Sequence, residues 1–197
     1  MKLPEIVGIA GTNGAGKDTL AEFLEAHSDY KNSSTSDILR VRLDQQSLPH
    51  TRENMRELGT RLREDLGNGA LGLLLIEKYR KEKTSAGYKG LLITSMRHPA
   101  IQEVIKHEGG MVIWVDADRR TRYDRIRAAT RDRVDDMVTY EEFCAQEDAE
   151  MNPPKDNASA PNMEAVRLAS DMVIENNFVS RDAFEQYLKG AFELNNS

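Results

Sequence analysis

The chain has 197 residues, 39% hydrophobic and 30% charged, which suits an α/β unit with a sizeable core. A net charge of −6 argues against a general nucleic-acid or anionic-membrane surface, because both call for a basic face. The lone cysteine, Cys144, excludes an intrachain disulfide and a cysteine cluster for zinc, the four histidines show no metal-ligand spacing, and no apolar run approaches the length of a membrane span.

The N-terminal residues lead straight into an apolar run, Ile6-Val7-Gly8-Ile9-Ala10, so no leader is expected and a cytoplasmic setting is the natural one. This run predicts the first strand. It is followed by Gly11-Thr12-Asn13-Gly14-Ala15-Gly16-Lys17-Asp18-Thr19, after which Leu20-Ala21-Glu22-Phe23-Leu24 sets a helical period. Strand, glycine-rich turn with Gly-Lys, then helix is the phosphate-binding loop. Its glycines let successive N–H groups converge on one anion, and the helix N-terminus adds partial positive charge. Gly11, Asn13, Gly14, Ala15, Gly16, Lys17, Asp18 and Thr19 are therefore the expected ATP contacts, with Lys17 reaching the outer phosphates. The usual metal-binding Ser or Thr after the lysine is replaced by Asp18, with Thr19 next. Either can serve Mg²⁺, a hard cation that keeps much of its hydration shell.

Tyr30–Ser34 is a short second strand candidate. Ser36-Asp37-Ile38-Leu39-Arg40 then opens a helix for which Ser36 is the expected cap. On the next helical pattern Arg52, Arg56 and Arg63 recur at spacings of four and seven, on one face. Such guanidinium groups suit a bound phosphate or, equally, a solvated face paired with Glu53, Glu57 and Glu64. The third strand, Gly90-Leu-Leu-Ile-Thr-Ser, ends in Met96-Arg97-His98-Pro99. Arg97 thus lies at the carboxyl end of a strand, where open α/β sheets bind ligands. Gln102, five residues on, reads either as a base-edge contact or as a solvated helix residue.

Met111-Val-Ile-Trp-Val-Asp is the fourth strand. Asp116 at its end is either a second metal-sphere carboxylate or a cap for the next helix. Seven arginines follow, at 119, 120, 122, 125, 127, 131 and 133. With no aromatic ladder among them a single-strand nucleic-acid groove fits poorly; an arginine-bearing lid over transferring phosphates fits well. Arg131 and Arg133, beside a loop, are the expected functional pair, whereas Arg119, Arg120 and Arg127 read as solvated. Residues 151–162, with three prolines among Asn, Ser and Asp, read as an exposed loop. Asp171-Met-Val-Ile-Glu-Asn is the fifth strand. Continuous apolar strands alternating with helices give an α/β class with a parallel sheet.

Taken together, Gly11–Thr19, Ser36–Arg40, Arg97 after the third strand, the arginine-rich segment and Ser170–Asn176 resemble the nucleoside monophosphate kinases of the P-loop superfamily. The Gly-Lys-Asp-Thr form is most similar to deoxynucleoside monophosphate kinases, with adenylate kinase-like and dephospho-CoA kinase-like relatives. The resemblance implies a P-loop NTPase three-layer sandwich, a five-stranded parallel sheet in the order 2-3-1-4-5, and one kinase domain over 1–197. Within it, 35–75 would be the monophosphate-binding helical part and 117–138 the lid. It implies ATP and Mg²⁺, small-molecule substrates with no nucleic-acid or membrane partner, and an undefined oligomeric state. It gives Lys17, Arg97, Arg131 and Arg133 catalytic roles; Ser36, Arg40, Arg56, Arg63, Arg97 and Gln102 would face the acceptor, and Asp18 or Thr19 the metal. The chain departs from the pattern after the third strand, where Thr94 and Ser95 stand in place of an Asp. A dephospho-CoA kinase-like enzyme and a non-catalytic nucleotide-binding regulator are the alternative readings.

Overall fold

The computed structural model describes residues 1–129, 138–152 and 162–193. In chain order the described elements are β1 (Ile6–Gly11), α1 (Lys17–Ser28), β2 (Tyr30–Ser34), α2 (Thr35–Gln45), α3 (Arg52–Leu66), α4 (Ala70–Ala86) and β3 (Gly90–Thr94). Then come α5 (Pro99–His107), β4 (Met111–Asp116), α6 (Arg119–Ala128), α7 (Tyr140–Met151), α8 (Met163–Leu168), β5 (Met172–Glu175) and α9 (Arg181–Ala191). The five strands form one parallel sheet in the order β2-β3-β1-β4-β5, as the resemblance implies.

Strand side chains alternate between two apolar layers, because successive Cβ atoms leave opposite faces of a pleated strand. Ile6, Leu91, Ile93, Val112 and Trp114 pack on one face, with Leu39 and Leu43 of α2, Leu58 and Leu62 of α3, Leu75 and Ile76 of α4, and Ile101 and Ile105 of α5. Val7, Ile9, Leu92, Ile113 and Val115 pack on the other, with Leu20 and Leu24 of α1 and Phe184 and Leu188 of α9. The sheet is thus covered on both sides, which is why its central strands read as unbroken apolar runs. No helix among the described residues is long and apolar enough to cross a membrane.

Two local devices position the strand ends. Ser34, not Ser36, caps α2. Its hydroxyl accepts the Ser36 N–H at 3.1 Å, and the Asp37 carboxylate accepts the Ser34 N–H at 2.9 Å. The helix starts immediately after β2, so the last strand residue takes the extended backbone that a cap requires. At the end of β3, Ser95 adopts a left-handed φ of 60°. This turn sends Met96 into the core and Arg97 to the surface, and the Thr35 hydroxyl staples α2 to it by donating to Ser95 O at 3.0 Å.

Candidate functional site

The phosphate loop leaves β1 and enters α1 through Gly14 (φ 79°) and Gly16 (φ 96°), both left-handed. Space as well as φ requires glycine at each. A Cβ on Gly14 would lie 2.6 Å from Arg122 O, and one on Gly16 would lie 2.3 Å from Asn176 Nδ2. Gly16 is also the N-cap of α1, so the cap has no side chain to satisfy the first-turn N–H groups. Those donors and the helix dipole point at the loop, the arrangement that binds a phosphate. Lys17 donates from Nζ to Thr12 O at 3.3 Å, holding its amine across the turn. Asn13 and Asp18 are exposed and Thr19 is half-buried in the first turn of α1.

Three other elements brace this loop. From β4, Asp116 Oδ1 accepts the Thr12 hydroxyl at 3.1 Å and the Ala117 N–H at 2.9 Å, while Oδ2 accepts Trp114 Nε1–H at 3.2 Å. Asp116 is not the N-cap of α6, which is Asp118; its carboxylate ties the loop, through Thr12, to the end of β4. Just past the end of β5, Asn176 donates from Nδ2 to Ala15 O at 2.8 Å. From α6, Arg125 donates to Gly14 O at 3.4 Å and to Phe178 O at 2.8 Å. Burial lowers the Arg125 pKa.

The arginine-rich segment divides by partner. Arg122 is 4% exposed; its Nε donates to Ala117 O at 2.8 Å, and its two terminal nitrogens pair with both oxygens of Glu147 on α7. Arg119 pairs with Glu147 at 2.8 Å and Asp148 at 2.7 Å, so it is bound to α7 rather than solvated. Arg120 ion-pairs with Asp124 and lies over the Tyr123 and Tyr140 rings; Arg127 is exposed, as expected. Arg131 and Arg133 lie outside the described residues. Cys144 is half-buried on α7.

The acceptor-side candidates are held differently. Arg40 is exposed and paired within α2 to Asp37 at 2.8 Å. Arg97 is exposed and paired to Glu150 of α7 at 2.6 Å. Ser36, in the first turn of α2, is half-buried. Arg56 is exposed beside a cavity of about 460 Å³ lined by Arg56, Glu57, Thr60 and Arg61. The Arg52 side chain lies outside the described residues. Arg63 is half-buried over Gly59, donates to the Thr60 hydroxyl at 3.1 Å, and has an Nε with no hydrogen-bond partner among the described residues. Burial lowers its pKa against the opposing Glu64 charge. Gln102 is not a solvated helix residue. It is 2% exposed with both amide atoms unpaired among the described residues, because α5 lays Ile101, Gln102 and Ile105 inward.

Asn176 and Glu147 carry no mark of the site in the sequence, and Arg122 and Arg125 stand there only as members of the arginine-rich segment. Glu147 lies 25 residues from Arg122, and no local pattern links them. Asn176 is visible in the sequence only as the residue that closes the last apolar strand.

The loop, the parallel sheet and its strand order define a P-loop nucleotide-binding protein of kinase-like fold. A family model described as an AAA domain matches residues 10–142. A UPF0200 protein of Sulfurisphaera tokodaii is 32% identical over 141 residues, covering 72% of this chain and 74% of its own, and one of Pyrococcus horikoshii is 28% identical over 150 residues, covering 74% and 78%. The chain therefore belongs to this AAA-domain family and to the UPF0200 proteins. Among solved structures, shikimate kinase from Acinetobacter baumannii in complex with shikimate overlays with a TM-score of 0.59 at 14% identity, covering 98% of this chain and 94% of that one. Shikimate kinase from Bacteroides thetaiotaomicron gives 0.53 at 11% identity, covering 96% and 98%. At these identities the likeness is one of fold.

Proposed function

We propose that the chain transfers the γ-phosphoryl group of ATP to the phosphate of a nucleoside monophosphate. The observation that carries the donor half is the loop itself: Gly14 and Gly16 in left-handed conformation, the first turn of α1 behind them, and Lys17 across the turn. Phosphoryl transfer asks little covalent chemistry of a protein and much alignment and charge stabilisation. Lys17 neutralises charge spreading onto the γ-phosphoryl oxygens. Arg131 and Arg133, which follow α6 in the chain, would add donors to the transferring group and help exclude water, so that ATP is not hydrolysed.

The residues fit Mg²⁺. Asp18 offers an exposed carboxylate and Thr19 a hydroxyl on the first turn of α1. Mg²⁺ is characteristically held that way, by one or two protein oxygens with phosphates and water completing its shell. When bound it neutralises charge on the outer phosphates. Asp18 and Thr19 orient it there.

The acceptor half rests on Arg40, Arg56, Arg63 and Arg97, borne by α2, α3 and the end of β3. Of these, Arg63 supports an anionic acceptor best, because its guanidinium is partly desolvated and keeps a donor without a partner among the described residues. A phosphate there receives charge-assisted hydrogen bonds. The test is an acceptor panel: ATP–Mg²⁺ with ribo- and deoxyribonucleoside monophosphates, dephospho-CoA and shikimate, with products identified by mass. The expected result is a nucleoside diphosphate formed faster than any other product. Faster phosphorylation of dephospho-CoA or shikimate would overturn the acceptor; ATP turnover that no acceptor stimulates would overturn the kinase.

A further inference from the structure

Asn176, just after β5, is 4% exposed, and its place is set by its own backbone, whose N–H donates to Asp116 O at 2.7 Å. From there its side chain reaches beneath the phosphate loop. Nδ2 donates to Ala15 O at 2.8 Å, while Oδ1 is buried with no partner among the described residues. The orientation of the amide follows from chemistry, since only the nitrogen can donate to a carbonyl. A buried amide retained with an unpaired acceptor is there for its donor.

That donor does something specific. In a trans peptide the C=O and N–H lie in one plane and point in opposite directions. Drawing Ala15 O down toward β5 turns the Gly16 N–H the other way, into the concave side of the loop where a phosphate sits. Gly16 completes the fit, because any Cβ there would lie 2.3 Å from Nδ2 and push the amide away. We infer that Asn176 is the positioning residue of the phosphate cradle, holding the Ala15–Gly16 peptide so that its N–H is aimed at the nucleotide's phosphates before ligand arrives. It acts through the loop and touches no reacting atom. This rests on the reading of Gly11–Thr19 as the nucleotide site.

The experiment uses the full chain with Asn176→Asp, which keeps the side chain's shape and sets an acceptor against Ala15 O, and Asn176→Ser, which keeps a small donor out of reach. Affinities for ADP and for inorganic pyrophosphate are measured by calorimetry, with ligand-free melting temperatures alongside. A cradle that has lost its aim should bind both ligands about tenfold or more weakly, by the same factor, since pyrophosphate has no base or sugar. The melting temperatures show that each variant is folded at the temperature of the titration. If Asn176→Asp does not fold, Asn176→Ser carries the comparison. Wild-type affinity for both ligands in the variants would overturn the inference, as would weakened ADP with unchanged pyrophosphate, which would make Asn176 a base or sugar contact. Lys17→Ala separates the two levels: if it too binds pyrophosphate like wild type, the nucleotide site itself is misplaced and the role of Asn176 falls with it.

Discussion

Around Gly11–Thr19 the groups that steady the loop reach it from three other places: Asp116 from β4, Asn176 from just past β5 and Arg125 from α6. Around Arg40 and Arg97 the cations are exposed and paired with carboxylates of α2 and α7, Asp37 and Glu150. The first region is already shaped for its ligand, with conformational cost settled at folding. The second holds its donors on exposed pairs worth well under the energy of a bound phosphate. In the proposed kinase this asymmetry would let the loop grip ATP at once, while the acceptor side would rearrange as its ligand displaces a carboxylate.

The contrast can be broken most forcefully at its buried end. Glu147→Ala takes the close counter-charge from the Arg122 guanidinium, 4% exposed, and leaves it only the longer 3.6 Å approach to Asp116. Removing one member of a buried pair should lower unfolding free energy by about 3 kcal/mol. Urea unfolding of variant and wild type measures this, and a loss below about 1 kcal/mol would mean the α6–α7 contact contributes little.

On the acceptor side, Arg63→Ala should raise the acceptor KM by about tenfold or more and that of ATP by less than about threefold, as expected when ground-state binding to one substrate is lost. Equal rises for both substrates would place Arg63 outside the acceptor site. At the seam between the regions, Asp18→Ala should raise the Mg²⁺ concentration needed for half-maximal turnover by about severalfold. An unchanged Mg²⁺ titration would hand the metal to Thr19. The smallest effect is expected for stability at Arg40→Ala, which removes a pair whose side chains are 50% and 52% exposed and should change unfolding free energy by less than about 1 kcal/mol.

The same asymmetry decides what could be read from the sequence. The loop was legible because its chemistry is local: Gly14, Gly16 and Lys17 lie within four residues, between an apolar strand and a helical period. The central strands were legible for a similar reason, since buried parallel strands leave unbroken apolar runs, whereas their order came only with the family resemblance. The α2 cap was misplaced from Ser34 to Ser36 because both serines precede Asp37, and only the end of β2 shows which has extended backbone. In the arginine-rich segment, charge and the family resemblance point to a lid. Yet Arg119 and Arg122 clamp α7, through partners 25 or more residues away that periodicity cannot reveal. Asn176 was hidden most completely. Its role depends on 2.8 Å to a carbonyl 161 residues earlier, and nothing in Val173-Ile174-Glu175-Asn176 marks it.

The central claim, that Gly11–Thr19 aligns ATP for phosphoryl transfer, is tested most directly by turnover of Lys17→Ala with ATP–Mg²⁺ and the best acceptor of the panel. Loss of a preorganised cation from developing phosphate charge should cost about 3 kcal/mol or more, a fall of roughly a hundredfold in kcat with the protein still folded. Turnover equal to wild type would contradict the account.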